Sequence, residues 1–289
     1  MKLCFLCGQK FDGKGWQCPF CGHVPETEAG HYIFVPEMTT HDNGFDPNYF
    51  RDLANMEEGN WWFRSRNRLI IWALQHFFPQ SKNFLEVGCG TGFVLSGIQE
   101  ALPELSISGG ELFMEGVTYA AHRLPHVPLF QMDSHRLPFE EEFDVIGAFD
   151  MLEHIDEDEE VLIQLFKATK KGGGIIITVP QHPFVWSEID VAVFHKRRYT
   201  RKKLIQKVQK AGFDYIRCTS FVFLLFPLML LVRKGKRDQR SESNVLEELK
   251  TGKWLGRMLG TVMDVERLII NAGVSLPFGG SLLLVAKRV

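Results

Sequence analysis

The chain has 289 residues, 45% hydrophobic and 24% charged, with a formal net charge of −2. That is ordinary globular composition, long enough for one large domain with attachments or two modest ones. The near-neutral balance gives no global sign of nucleic-acid binding. Met1 leads into a cysteine knuckle instead of a basic and then apolar run, so no secretory signal is expected and the cytoplasm is the default location. The longest apolar run, Phe221 to Val232, is shorter than the roughly 20 residues that span a bilayer.

The first unit is residues 1–30. It is too small for a core of its own, but it carries four of the six cysteines as Cys4-x2-Cys7-x10-Cys18-x2-Cys21. In a cytosolic chain such spacing reads as metal ligation, not disulfides. Each knuckle is followed by a glycine, Gly8 or Gly22, which permits the tight turn. Four thiolates around one zinc make a closed site, so the metal is structural, and it supplies folding energy that the unit lacks. Iron in a rubredoxin-like site is the minor alternative.

Residues 31–80 read as a linker and helical cap, loop-like to about residue 50. A helix is expected from Tyr49 to Phe78, with Leu69, Trp72, Ala73, His76 and Phe77 at helical spacing and Pro79 ending it. From residue 81 the pattern becomes strand, turn, helix, repeated. "FLEV", "LSISGGEL", "VPLFQMD", "FDVIGAFD" and "GGGIIITVP" read as strands. "FVLSGIQEAL", "MEGVTYAAHRL", "DEDEEVLIQLFKATK" and "TRKKLIQKVQKAGF" read as helices, the last capped by Thr200 and closed by Gly212. Such alternation implies a mainly parallel sheet with helices on both faces. An insertion at about 222–278 precedes a last strand, "SLLLVAKR".

The turn after the first of these strands is "EVGCGTG". Its glycines, Gly88, Gly90 and Gly92, let backbone amides approach a ligand at a helix start. The spacing does not match the G-x-G-x-x-G of NAD sites. With Glu86 in front, it resembles motif I of class I S-adenosylmethionine (SAM) methyltransferases, over residues 83–220 and the last strand. The resemblance implies an α/β fold: a Rossmann-like, seven-stranded, mostly parallel sheet, here with a small N-terminal zinc ribbon. It also implies that Glu86, Gly88, Cys89 (through its backbone), Gly90 and Gly92 hold the methionine end of SAM. Glu111 holds both ribose hydroxyls. Asp133, in the family's "D-x-x-x-LPF" form, meets the adenine amino group, flanked by Leu112 and Ser134. Asp150 and Met151 lie over the methionine and methyl group.

For methyl transfer, His154 is the nearest candidate base, with His195 the second. "PQHPFVWSEIDVAVFHKRRYT" resembles the acceptor segment of small-molecule and lipid-pathway methyltransferases, so His182, Trp186, Asp190, His195, Arg198 and Tyr199 are expected to border the acceptor. "NWWFRSRNRL" recurs in a bacterial subset, and Trp61, Trp62, Phe63 and Arg64 are placed to lid the cleft, Trp62 and Arg64 against substrate. The Asn-Pro-Pro-Tyr pattern of nucleobase and glutamine methyltransferases is absent.

The expected function is methyl transfer to O or C of a small-molecule or lipid- or saccharide-linked acceptor. The alternatives are an RNA methyltransferase using the ribbon, with nucleic acid disfavoured by the ribbon's few basic residues, and a non-catalytic SAM-binding protein. The apolar-then-basic stretch 221–237 suits peripheral contact with an anionic membrane at its inner face. The plainer reading is a helical hairpin over the active site or a homodimer contact.

Overall fold

The computed structural model describes residues 1–36, 48–234 and 252–289. Strands β1 (Lys2–Leu3) and β2 (Lys10–Phe11) form a small antiparallel ribbon. Strands β3 (Glu26–Glu28) and β4 (His31–Ile33) pair next, and β4 is the surprise of the amino-terminal region. It lies in a stretch that reads as loop, yet it runs parallel to the edge strand of the main sheet, Tyr32 opposite Phe130. A three-residue strand has no periodicity to read; the waiting sheet edge makes it one.

Two helices follow, α1 (Asn48–Glu57) and α2 (Trp61–Phe77), where one was expected. Gly59 interrupts the run, and Asn60 starts α2 afresh, its side chain accepting from Trp62 N at 2.8 Å. The body then alternates: β5 (Asn83–Val87), α3 (Phe93–Ala101), β6 (Ser106–Glu111), α4 (Met114–Arg123), β7 (Leu129–Gln131), β8 (Phe143–Phe149), α5 (Asp158–Ala168), β9 (Thr169–Pro180), α6 (Glu188–Ala192) and α7 (Arg201–Lys210). It closes with β10 (Asp214–Phe221), α8 (Phe226–Lys234), α9 (Lys253–Asn271) and β11 (Ser281–Lys287).

The main sheet has the order β10-β11-β9-β8-β5-β6-β7-β4-β3. Its seven body strands are parallel except β11, which runs antiparallel to both β9 and β10. The expected seven-stranded sheet is present, extended by β4 and β3. β10 has no counterpart among the strands read from sequence, because its first half is exposed and lacks an apolar run.

Alternate residues of the central strands feed two cores. Phe84, Val145, Ile176 and Leu283 join α2, α3 and α4 on one face. Leu85, Ile146, Ile177 and Leu284 join α5 and α7 on the other. Cys4, Trp16, Cys18 and Phe34 belong to that second core. The insertion helix α9 packs on the first face through Met263 and Ile270, and Asp264 pairs with Arg68 of α2 at 3.0 Å. Helix α9 of the insertion thus lies over the cap helix. The basic stretch "RKGKRDQR" falls almost entirely outside the described residues. No helix among the described residues is long and apolar enough to cross a membrane.

Candidate functional site

In open parallel sheets, ligands bind beyond the carboxyl ends of the strands, where the strand order reverses. Here β5 lies between β6 and β8, so the β5–α3 turn is that point. Gly88, Gly90 and Gly92 all have positive φ, at 73°, 52° and 75°. Two of them are also hemmed in. A Cβ on Gly88 would meet Met151 Cγ at 2.5 Å, and one on Gly92 would meet Ala120 at 3.1 Å. Gly90 differs: nothing lies within 4 Å of its Cβ position, so that side of the turn is open. The Cys89 thiol is buried, and only its backbone takes part in the turn, donating to Gly110 O at 3.0 Å.

Three acids stand at the carboxyl ends of β5, β6 and β7. Glu86, at the end of β5, is buried, and its Oε2 has no hydrogen-bond partner. Desolvation pushes its carboxyl well above the usual range, with Arg66 pulling the other way. Glu111, at the end of β6, accepts from Gly90 N at 2.9 Å, Leu112 N at 2.9 Å and Phe113 N at 3.3 Å. These bonds lock its carboxylate against the glycine turn. Burial still raises its pKa, with the amides offsetting part of the rise. Asp133 follows β7, half-buried beside half-buried Ser134, and its Oδ1 takes His135 N at 2.9 Å and His135 Nδ1 at 2.8 Å.

The cap closes over the turn. Arg66 of α2 pairs with Asp150 and lies over the Trp62 ring at 4.7 Å and the Phe63 ring at 5.4 Å. Arg64, which the sequence pointed to, is exposed on the opposite side of the helix. Glu57 of α1 is a second contributor that the sequence reading missed. It accepts from Thr91 Oγ1 at 2.6 Å and Arg123 at 2.9 Å, clipping the cap to the glycine turn. Asp150 has φ +50°, a strained non-glycine conformation of the kind that collects at functional sites.

Beyond β8 a short 3-10 turn, Leu152–His154, carries Glu153 and His154. His154 and His195 meet edge to face, ring centroids 4.9 Å apart. Burial and the neighbouring His195 push His154 down to about 3, so it is neutral near pH 7 and a weak base. His195 Nδ1 lies 2.9 Å from Asp190 Oδ1. The loop after β9 holds the rest of the expected acceptor border. His182 has φ +64° and a buried Nε2 without a partner, while Trp186 is 41% exposed. Arg198 and Tyr199 point inward. Arg198 donates to Asp190 at 2.6 Å and Gln181 O at 3.0 Å, and buried Tyr199 donates to Asp158 at 2.6 Å. Their side chains brace the loop instead of lining an opening.

In the amino-terminal ribbon, Cys4 and Cys21 sulfurs are 3.6 Å apart, as are those of Cys7 and Cys18. All four lie within 4.8 Å of one another. The ribbon is docked on the sheet edge next to Asp133. Gln131 exchanges hydrogen bonds with the Val35 backbone, both at 3.0 Å, and Leu3 N donates to Pro138 O at 2.9 Å. Trp16 packs edge-on against Phe34, Phe130 and Phe139.

The family described as "Methyltransferase domain" matches residues 61–217. A Mycolicibacterium smegmatis protein assigned as an S-adenosylmethionine-dependent methyltransferase is 24% identical over 167 residues, 57% of this chain and 63% of its own length. The ubiquinone biosynthesis O-methyltransferase of Hydrogenovibrio crunogenus is 28% identical over 160 residues, 49% of this chain and 64% of its own. The chain thus spans less than two thirds of either relative. A solved SAM-dependent methyltransferase of Thermotoga maritima superposes with a TM-score of 0.51 at 16% identity, covering 84% of this chain and 96% of its own. That likeness concerns the fold alone.

Proposed function

Because the chain belongs to the methyltransferase-domain family, we propose that it is a SAM-dependent methyltransferase acting on O or C of a small or lipid-linked acceptor. The observation that carries the reading is Glu86. A buried carboxylate oxygen without a partner, beside a glycine turn with one open face, awaits a cationic ligand that comes close to backbone. The ammonium of SAM's methionine end fits that need. Bound there, SAM supplies a methyl group activated by its sulfonium.

The chain's own groups do the rest. Glu86 pairs with the ammonium, and Arg66 stands ready for the adjoining carboxylate. Glu111 keeps free lone pairs for the two ribose hydroxyls, its carboxylate already oriented by three amides. Asp133 takes the adenine amino group, with Leu112 and Ser134 beside the ring. Met151 covers Gly88 and holds the methyl end in place. Trp62 and Phe63 exclude water from above. The acceptor enters past His182 and Trp186, and its reacting atom meets the methyl near the Glu153–His154–His195 cluster.

The apolar rim supports a lipid-linked or hydrophobic acceptor. Phe184 is 71% exposed, Leu228 49% and Leu231 69%. The same rim supports peripheral contact with a membrane surface. The Hydrogenovibrio relative, named for ubiquinone biosynthesis, supports oxygen as the target. For the ribbon, residues 1–30, we infer structural zinc. A tetrahedral ion about 2.3 Å from each thiolate sets sulfurs roughly 3.8 Å apart, close to the observed 3.6 Å pairs. Its aromatic face is spent on the sheet edge, which supports a bracing role over RNA capture.

Isothermal titration with SAM tests the reading, followed by a radiolabelled-SAM screen of lipid, small-molecule, RNA and protein fractions. Wild type should bind one SAM and label a lipid or small-molecule fraction. Glu111→Ala should weaken binding roughly a hundredfold, since it removes two hydrogen bonds to a charged acceptor. Undiminished binding in that variant refutes the ribose assignment.

A further inference from the structure

Among the described residues, two clusters bring three or more ligand atoms of metal-binding type within 4.8 Å of one another. One is the four-cysteine ribbon. The other is Glu153, His154 and His195, of which Glu153 and His154 lie on the turn that follows Asp150 and Met151 of the proposed cofactor site. Glu153 is fully buried, and neither carboxylate oxygen has a hydrogen-bond partner. The nearest ring nitrogen, His195 Nε2, is 3.8 Å from Oε1, beyond hydrogen-bond reach. A cluster that merely filled the core would close these oxygens on a donor, because a buried carboxylate without one is strongly disfavoured.

The surroundings fix the orientation of the histidine. Asp190 is fully buried, and its Oδ1 lies 2.9 Å from His195 Nδ1. Asp190 is itself held by Ser187 N at 2.9 Å and Arg198 Nε at 2.6 Å. With Nδ1–H donating to that carboxylate, the lone pair of His195 resides on Nε2, the atom nearest Glu153. A carboxylate behind an imidazole in this way sets tautomer and ring direction for metal-bound histidines. Lys196 N donates to Glu153 O at 2.7 Å, tying the loop of His195 to the turn of Glu153 and His154.

We propose that Glu153, His154 and His195 bind one divalent transition-metal ion, with Asp190 as the positioning residue behind His195. Two imidazoles and a carboxylate suit Mn2+, Fe2+ or Zn2+ better than Mg2+ or Ca2+, which favour oxygen shells. Three protein ligands leave positions open, unlike the closed ribbon site. The proposal rests on the methyltransferase reading for its chemistry and narrows it to oxygen. An acceptor hydroxyl occupies an open position, and its proton passes to solvent more readily on the ion. That oxygen then bonds to the methyl carbon as the carbon–sulfur bond breaks. The electron pair stays on sulfur, and the sulfonium becomes a neutral thioether.

The test uses the full chain with zinc on the cysteine cluster, titrated with Mn2+ and followed by electron paramagnetic resonance. One Mn2+ per chain should bind, with pulsed spectra showing couplings to two imidazole nitrogens. Glu153→Gln should abolish binding, and Asp190→Asn should weaken it roughly ten- to a hundredfold. Circular dichroism melts verify that the variants fold; where one does not, the nitrogen couplings of the unaltered protein decide. No bound Mn2+ at millimolar concentration, binding without imidazole nitrogens, or binding unchanged in folded Glu153→Gln overturns the proposal. SAM titrations run in parallel separate the two ideas. SAM binding without Mn2+ binding removes the metal alone. Mn2+ binding with two nitrogens and no SAM binding removes the methyltransferase reading alone.

Discussion

The cysteine ribbon and the cluster beyond β8 both gather metal-binding groups, but they are built in opposite ways. The ribbon draws its four ligands from 18 consecutive residues, in two knuckles with the same internal bond: Gly8 N to Cys4 O and Gly22 N to Cys18 O, each 2.9 Å. Glu153 and His154 come from a strand end, and His195 from a loop 41 residues after His154, on the far side of β9. The first arrangement is a local property of the backbone. The second exists only because the sheet places the ends of β8 and β9 side by side and Asp190 aims the imidazole between them. A site made locally stands or falls with its own segment. A site made by the fold can lose a ligand and leave the fold intact.

The largest difference should appear in stability. Cys18→Ser, or a strong chelator, removes the metal on which we take the ribbon to depend. Residues 1–36 should become sensitive to protease, the Trp16 emission should shift to the red, and the melting midpoint should fall by roughly 10 °C. His195→Gln should leave the midpoint within about 2 °C and SAM affinity within about threefold, while methyl transfer falls by about a hundredfold or more. Equal loss of stability in the two variants would erase the distinction between the sites.

A smaller effect concerns pH at Glu86. Its folded-state pKa is raised by burial, so without cofactor the folded protein keeps a proton that the unfolded chain gives up. That contribution to stability is full below the ordinary glutamate pKa and is lost as pH rises through the raised one. On the proposed function the ammonium of SAM pairs with the ionised form, so binding should expel the proton, and affinity should rise with pH until Glu86 is ionised in the free protein. Calorimetry in phosphate and in Tris should give enthalpies that differ by the buffers' heats of ionisation. Glu86→Gln should abolish that difference and weaken SAM about tenfold. Matching enthalpies in wild type would place the ammonium elsewhere.

The features visible in the sequence share the ribbon's local character. The "EVGCGTG" turn, the strand-end acids Glu111 and Asp133 and the two cysteine knuckles depend on nearby backbone, so spacing reveals them. The contributions of Arg66, Glu57, Asp190 and β4 depend on partners far along the chain. Arg66 reaches Asp150, Glu57 reaches Thr91 and Arg123, and β4 needs the edge of β7. Composition carries no trace of such pairings. β10 was hidden for a related reason: its pairing with β11 crosses the whole insertion.

One of these residues was nonetheless within reach of periodicity. In "NWWFRSRNRL", Arg64 sits two residues after Trp62, which places it on the other side of a helix, whereas Arg66 sits four after and shares its face. The buried residues of α2, Phe63, Ser65, Arg66, Asn67, Leu69, Ile70, Ala73 and Leu74, include Arg66 and omit Arg64. Spacing along the expected helix therefore separates the two arginines by itself. The pair of substitutions separates the two arginines by a modest margin. Arg66→Ala should weaken SAM binding by about tenfold, because it removes a buried charge that holds Asp150 and faces Glu86. Arg64→Ala should change it by less than about twofold, as expected for a solvated side chain. If Arg64→Ala matched Arg66→Ala in titration, the exposed face of α2 would have to meet a ligand, and the cleft would extend beyond the cap.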